Sequence, residues 1–116
     1  MKYNIGFLEV PLCYNYFMNT QEEILTFLQE HKEELLSRFH LSTIGLFGSF
    51  SRGEQKPSSD VDILVDFDEN VTDFYTLKMA LREYLSSSFN RSIDLAREKY
   101  LKPHAKEQIL KDVIYI

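Results

Sequence analysis

Apolar residues recur every three or four positions in two long segments of the chain, which predicts two amphipathic helices. The first extends from about Gln21 to Phe39, and Thr20 and Glu23 form a capping-box pattern at its start. The second extends from Asp73 to Ser88. The apolar stripes are Ile24, Leu28, Leu35 and Phe39 in the first helix and Phe74, Leu77, Leu81 and Leu85 in the second.

Shorter apolar runs have the length that is typical of β-strands. In one of them apolar residues alternate with acids, so one face is apolar and Asp60 and Asp62 project to the same side. A last helix is predicted to begin at Pro103, because proline is favoured in the first turn. The predicted strands are Thr43–Phe47, Val61–Phe67, Ser92–Ala96 and, at the C-terminus, Val113–Ile116.

The segment after the first strand is predicted to turn sharply. Gly48 ends the strand, Ser49 is expected to cap a short helical turn, and Phe50 is expected to pack inward. Residues Glu54–Ser59 contain Pro57 and two serines, which is typical of a loop.

Length and composition indicate one domain. The chain has 116 residues, of which 44% are hydrophobic, enough for a real core. We assign residues 18–116 to this domain and residues 1–17 to an N-terminal extension, either an edge strand or disordered. No segment has the length of a membrane span or the build of a signal peptide, and the single cysteine, Cys13, cannot form an intrachain disulfide. The sequence therefore predicts a cytoplasmic protein.

The net charge limits the partners that the chain is expected to bind. It is −5, which argues against a broad contact with nucleic-acid phosphates. We expect neither a direct nucleic-acid partner nor a membrane partner. A local basic patch near the C-terminus stays open, formed by Arg97, Lys99, Lys102 and Lys106.

The Gly-Ser turn has the chemistry of a phosphate site. Backbone N–H groups at a helix start attract anions, and Gly48 lets a phosphate approach the backbone closely. The Ser49 hydroxyl can donate to a phosphate oxygen, and Arg52, one turn later, can add positive charge. A Gly-Ser pair after a strand is nevertheless most often an ordinary turn, so this element is weak evidence alone.

Asp60 and Asp62 are the stronger signal. Magnesium takes oxygen ligands, usually one or two carboxylates together with substrate phosphates. Asp94, in the third strand, can join them if that strand lies beside the second. Three acids at close range repel one another and require a cation, and two metal ions would suit an in-line displacement. Asp94 could also accept the proton of an attacking hydroxyl. Each acid alone is more typical of a solvated strand end than of a metal site.

The combined pattern resembles the DNA polymerase β-type nucleotidyltransferase superfamily, and within it the minimal nucleotidyltransferases of bacteria and archaea. The resemblance covers roughly Gln21 to Ile116. Its motifs are Gly48–Gly53, Ser59–Val65 and Ile93–Leu95, and the segment from Leu101 to Val113 is similar to the end of the family's domain.

The resemblance implies an α/β fold, with a small mixed β-sheet flanked by helices. It implies that Asp60, Asp62 and Asp94 are catalytic and bind magnesium, with two ions expected and ATP as substrate. Gly48 and Ser49 would hold the nucleotide phosphates. The resemblance leaves open whether Arg52 contacts a phosphate or anchors the loop.

The resemblance also implies a partner. Minimal nucleotidyltransferases of this size are typically antitoxins paired with a HEPN-domain toxin, and some transfer AMP from ATP to a tyrosine of that toxin. Neutralisation by binding and occlusion, without catalysis, is an alternative. Transfer to a small molecule is another, although it would need a second domain or a homo-oligomer to build the acceptor pocket. Addition of nucleotides to RNA is disfavoured by the negative charge.

Overall fold

The computed structural model describes residues 18–116 as a mixed α/β domain. Residues 1–17, for which an extension is predicted, lie outside the described residues. The helices are α1 (Gln21–Glu30), α2 (Lys32–Arg38), α3 (Gly48–Arg52), α4 (Phe74–Phe89) and α5 (Pro103–Asp112), with one 3-10 turn at Glu98–Tyr100. The strands are β1 (Leu41–Phe47), β2 (Val61–Phe67), β3 (Ile93–Arg97) and β4 (Ile114–Tyr115).

The four strands form one mixed sheet in the order β3-β2-β1-β4. Strand β1 runs antiparallel to both β2 and β4, whereas β2 and β3 are parallel. The parallel pair is joined by α4, which supplies the long crossover that parallel strands require. The predicted fold class, a small mixed sheet flanked by helices, is confirmed.

The hydrophobic core lies between one face of the sheet and the helices α1, α2 and α4. Alternate residues of β2 face this core, so its acids at the intervening positions face the other side. Phe50 of α3 is fully buried in the same core, as expected from the sequence. The core residues of α1 are Ile24 and Leu28, and those of α4 are Leu81, Leu85 and Phe89.

The first predicted helix is interrupted. Instead of one helix to Phe39, α1 ends at Glu30, and His31 leaves helical geometry with φ −106° and ψ 11°. The ring of His31 stacks on Phe27 at 4.0 Å, and its Nδ1 lies 2.9 Å from the Phe27 carbonyl oxygen. The His31 N–H still donates to the Phe27 carbonyl oxygen at 3.0 Å, so the backbone departs from helical geometry only locally. The apolar stripe still continues into α2, so both helices face the core.

Two helix starts are capped as their sequences suggest, and one is not. Thr20 and Glu23 form the predicted capping box, and Asp73 accepts a hydrogen bond from the Thr76 N–H at the start of α4. Ser49, by contrast, does not cap α3, because the N-cap position is Phe47, whose side chain has no hydrogen-bonding group. Ser49 lies inside the first turn, which leaves its hydroxyl available to a ligand.

The C-terminal elements lie at the edge of the sheet. Strand β4 pairs with β1 through Gly45–Tyr115 and Leu46–Ile114, so the predicted final strand is confirmed. Helix α5 begins at Pro103, also as predicted. Across residues 18–116, every helix is too short or too polar to cross a membrane.

The basic patch that the sequence leaves open lacks one of its four residues. Arg97 is only 9% exposed, and its guanidinium lies 4.0 Å from the ring centre of Phe74 and 4.5 Å from that of Tyr100. It shares the core-facing side of β3 with Ile93 and Leu95, since alternate residues of a strand face one side. Its positive charge is therefore shielded by aromatic rings rather than displayed on the surface.

Candidate active site

Asp62 and Asp94 stand side by side on neighbouring strands. In the parallel register of β2 and β3 these two residues are direct partners, on the face opposite the helical core. The sequence predicts that Asp94 joins the other acids only if its strand lies beside β2, and in the structure β3 does lie beside β2. Asp94 is exposed and Asp62 is half-buried, and both can therefore meet a ligand from solvent.

Asp60 lies one residue before β2, at the mouth of the same strand pair. Asp60 is exposed. The backbone next to it is held in place, because the Val61 N–H donates to the Ser92 carbonyl oxygen at 2.9 Å. This bond begins the pairing of β2 with β3. Asp60 therefore projects from the end of the sheet that also carries Asp62 and Asp94.

The three acids influence one another electrostatically. Burial, the largest cause, acts together with the negative charges of Asp94 and Asp60 to raise the pKa of Asp62 from 3.8 to about 6, while the positive charge of Arg52 opposes the shift. Desolvation and like charge both disfavour a carboxylate. The acids therefore form a site that favours a bound cation or proton.

The Gly-Ser turn lies directly against these acids. Gly48 has φ +76°, and a Cβ at this position would overlap the Asp62 side chain, with the carboxyl carbon 2.8 Å away. Only glycine fits both the backbone conformation and this close approach. Half-buried Ser49 is the next residue in the chain. Its backbone and hydroxyl therefore lie beside the acid pair, and the turn and the acids form one surface.

Arg52 is anchored to two acids. Its Nε donates to Glu54 at 2.9 Å, and its Nη1 donates to Asp112 of α5 at 3.0 Å. These hydrogen bonds raise the pKa of Arg52, so it is always charged. The second guanidinium nitrogen, Nη2, makes neither of these bonds. Arg52 can thus anchor the loop and still donate to a phosphate.

The acid set fits magnesium, which prefers hard oxygen ligands. Among residues 18–116, no three Asp, Glu, His or Cys side chains form a group that could hold a metal ion by themselves. Magnesium commonly takes only one or two protein carboxylates and completes its shell with substrate phosphates and water. Asp60, Asp62 and Asp94, beside a phosphate-binding turn, match that pattern. Their roles as metal ligands and catalytic residues stay predictions.

Other acids that the alternation offers lie away from this site. Asp66 pairs with Thr43 across β1, and Asp68 follows the end of β2. Four residues of strand separate Asp66 from Asp62, a distance of about 13 Å. Neither residue joins the acid pair.

Sequence reasoning overlooked Arg91. It donates four hydrogen bonds to residues at the start of the described chain and in the loop before Asp60. The available signal was its position, at the boundary between the second long helix and the strand that carries Asp94. Its role could not be predicted, because nothing in a single sequence shows which carbonyl groups surround it.

Comparisons with known proteins agree with this geometry. A family model described as a nucleotidyltransferase domain matches residues 28–116. The chain is 44% identical over 100 residues to the protein adenylyltransferase MntA of Thermococcus cleftensis. The matched segment covers 85% of this chain and 98% of that protein. The chain is 39% identical over 100 residues to a candidate protein adenylyltransferase of Methanocaldococcus jannaschii, covering 85% and 100%.

Solved structures share the fold. A candidate minimal nucleotidyltransferase superimposes with a TM-score of 0.67 at 32% identity, covering 79% of this chain and 92% of that one. A toxin–antitoxin structure with AMP-PNP gives 0.60 at 25% identity, covering 74% and 69%. The complex of a tri-AMPylated Shewanella oneidensis HEPN toxin with an MNT antitoxin gives 0.55 at 21% identity, covering 78% and 69%, which indicates likeness of fold alone.

Proposed function

Because the chain belongs to the nucleotidyltransferase domain family, we propose that it transfers AMP from ATP to a tyrosine of a HEPN-domain toxin and acts as that toxin's antitoxin. The observation that carries the proposal is the direct pairing of Asp62 with Asp94 beside Gly48. The partner is suggested by the antitoxin and adenylyltransferase names of similar proteins.

The proposed nucleotide site uses the turn between β1 and α3. The triphosphate would lie against Gly48 and accept hydrogen bonds from the Ser49 backbone and hydroxyl, with Arg52 supplying charge through its remaining nitrogen. This arrangement presents the α-phosphate to the acids. Magnesium, held by Asp60, Asp62 and Asp94, would neutralise the triphosphate and stabilise the attacking and leaving oxygens.

The proposed reaction is an in-line displacement at the α-phosphorus. The phenolic oxygen of the acceptor tyrosine forms a bond to this phosphorus, and the bond to the β-phosphate bridging oxygen breaks. The hydroxyl proton passes to the exposed Asp94 carboxylate, and pyrophosphate leaves. The products are an adenylylated tyrosine and pyrophosphate.

The proposal also accounts for an acceptor on another molecule. The described domain is small, and the acids lie at one rim of its sheet rather than within a deep cleft. A docked protein can present a hydroxyl at this rim. The negative net charge of the chain also suits an RNA-cleaving, and hence basic, partner.

The test is the intact mass of the partner. The chain is incubated with ATP, magnesium and the product of the neighbouring gene, which the proposal expects to be a HEPN-domain protein, and the partner is then weighed. We expect a gain of one or more adenylyl groups, which peptide mapping assigns to tyrosine. The double variant Asp60→Asn, Asp62→Asn should give no gain, whereas Asp68→Asn, a matched change outside the site, should behave as the wild type.

The alternative of occlusion has a distinct outcome in the same experiment. If the chain neutralises its partner by binding alone, the double variant will still bind the toxin and suppress its ribonuclease activity. Binding that persists while protection is lost supports catalysis. An unmodified partner that is nevertheless silenced by the wild-type chain would contradict the proposal.

A further inference from the structure

Arg91 connects three segments of the chain that meet near Asp60. It lies between α4 and β3, directly after the helix C-cap Asn90. Its Nη1 donates to the carbonyl oxygens of Pro57 at 3.0 Å and Ser59 at 2.9 Å. Its other two nitrogens donate to Met18 and Asn19, at 2.6 Å and 2.7 Å. All three guanidinium nitrogens are therefore used.

None of these acceptors is a carboxylate. The acceptors are three backbone carbonyl oxygens and one side-chain amide oxygen, so the charge of Arg91 serves to strengthen backbone contacts. The guanidinium also lies over the ring of Phe50, 5.2 Å from its centre. Phe50 belongs to α3, which follows the phosphate-binding turn. One side chain thus contacts both the loop that leads to the acids and the helix of the turn.

Hydrogen bonds therefore hold the backbone on both sides of Asp60. On one side, the carbonyl oxygen of Ser59 accepts from Arg91; on the other, the N–H of Val61 donates to the Ser92 carbonyl oxygen. Asp60 and Arg91 also line the same cavity, of about 230 Å³. An exposed carboxylate at the end of a loop needs such restraint, because metal ligands must lie within about 0.5 Å of their productive position.

We propose that Arg91 is a positioning residue for Asp60, fixing the loop before β2 so that this carboxylate meets the same ion as Asp62 and Asp94. The inference deepens the proposed function and rests on it for its enzymatic readout. Because all three guanidinium nitrogens of Arg91 have protein acceptors, we expect it to contact neither the nucleotide phosphates nor the ion. It acts through the carbonyl groups of Pro57 and Ser59.

The test compares Arg91→Gln and Arg91→Lys with a matched control. Arg38→Gln removes the same charge from an exposed arginine whose ion pair is to Glu34, at 3.5 Å, in the preceding turn. Three quantities are measured: the magnesium concentration that gives half-maximal transfer, the binding of Mn²⁺ in the presence of AMP-PNP by electron paramagnetic resonance, and amide hydrogen exchange of residues 54–61.

We expect Arg91→Gln, which removes four charge-assisted hydrogen bonds, to raise the half-maximal magnesium concentration at least about tenfold, the loss typical of even one such bond. Turnover at saturating magnesium should fall much less. Mn²⁺ binding should weaken similarly, and exchange of the loop amides should accelerate. Lysine, which cannot reproduce the fork, should restore only part of the effect. Arg38→Gln should change none of these quantities.

A folded Arg91→Gln protein with an unchanged metal requirement and unchanged loop exchange would overturn the inference. So would an equal effect of Arg38→Gln, since the change would then reflect general stability. If the wild-type chain transfers no adenylyl group, the proposed function fails, but Mn²⁺ binding and loop exchange still decide the role of Arg91.

Discussion

Arg52 donates to Asp112 at 3.0 Å, and this ion pair connects the end of the phosphate-binding turn to the last turn of the C-terminal helix. Sequence analysis leaves the role of Arg52 open between a phosphate contact and a loop anchor. The structure shows that the anchor exists and that one guanidinium nitrogen, Nη2, takes no part in it. Both roles are therefore compatible, and mutation can separate them.

We predict that Arg52→Gln raises the KM for ATP about tenfold with little change in kcat, because one charge-assisted bond to a phosphate is lost. Asp112→Asn keeps the arginine and weakens one of its two anchors while the bond to Glu54 remains, so KM should rise no more than about threefold. Steady-state kinetics of both variants measure the difference. Equal increases in KM would mean that Arg52 acts only as an anchor.

Two glycines offer a matched pair. Gly48 and Gly53 have nearly the same backbone conformation, φ +76° and +71°, but a Cβ at Gly48 would overlap Asp62, whereas a Cβ at Gly53 would meet nothing within 4 Å. Alanine should cost about 1–2 kcal/mol of stability at either position, because of the left-handed backbone.

We predict that the activities of the two alanine variants diverge. Gly48→Ala should lose transfer activity almost completely, because the methyl group displaces the Asp62 carboxylate. Gly53→Ala should retain most of its activity at a similarly reduced melting temperature. Thermal denaturation and transfer assays on both variants provide the measurement. Equal activities would contradict the close approach of Gly48 to the acid.

The raised pKa of Asp62 predicts how stability depends on pH in the absence of divalent ions. Between the ordinary pKa of 3.8 and the folded value of about 6, the folded state binds more protons than the unfolded state. Stability therefore falls as pH rises through this range, by about 1 kcal/mol once solvent screening is allowed for.

We predict that Asp62→Asn is more stable than the wild type near pH 8 and loses this advantage near pH 4. Urea denaturation at both pH values measures the difference in free energy of unfolding, and EDTA keeps the protein free of metal. Asp68→Asn, whose carboxyl lies in solvent, should show no such advantage. An Asp62→Asn protein that is less stable than the wild type at pH 8 would contradict the electrostatic picture.

Most of the elements could be predicted from the sequence, because they depend on local periodicity. The alternation in β2 gave the side on which Asp62 lies, and Pro103 marked the start of α5. The position of Asp94 relative to Asp62 could be predicted only conditionally. Strand order depends on how α4 crosses the sheet, and no residue within either strand encodes that neighbour.

Two features of the fold could not be predicted from the sequence. The burial of Arg97 depends on residues distant in the chain, and the break at His31 is a local departure from regular helix geometry. A basic surface patch that includes Arg97 was left open, but β3 extends to Arg97 and places it on the core side with Ile93 and Leu95. The aromatic rings that surround it come from other elements. The break at His31 leaves the apolar stripe continuous from α1 into α2, so helical periodicity does not reveal it.

The most direct test of the account is the location of the metal. A crystal of the chain with AMP-PNP and Mn²⁺ gives anomalous scattering that locates each ion. We predict a peak between the carboxylates of Asp62 and Asp94, about 2.1–2.2 Å from their oxygens and in contact with the triphosphate. Nucleotide and ion bound elsewhere, with these two carboxylates unligated, would contradict it.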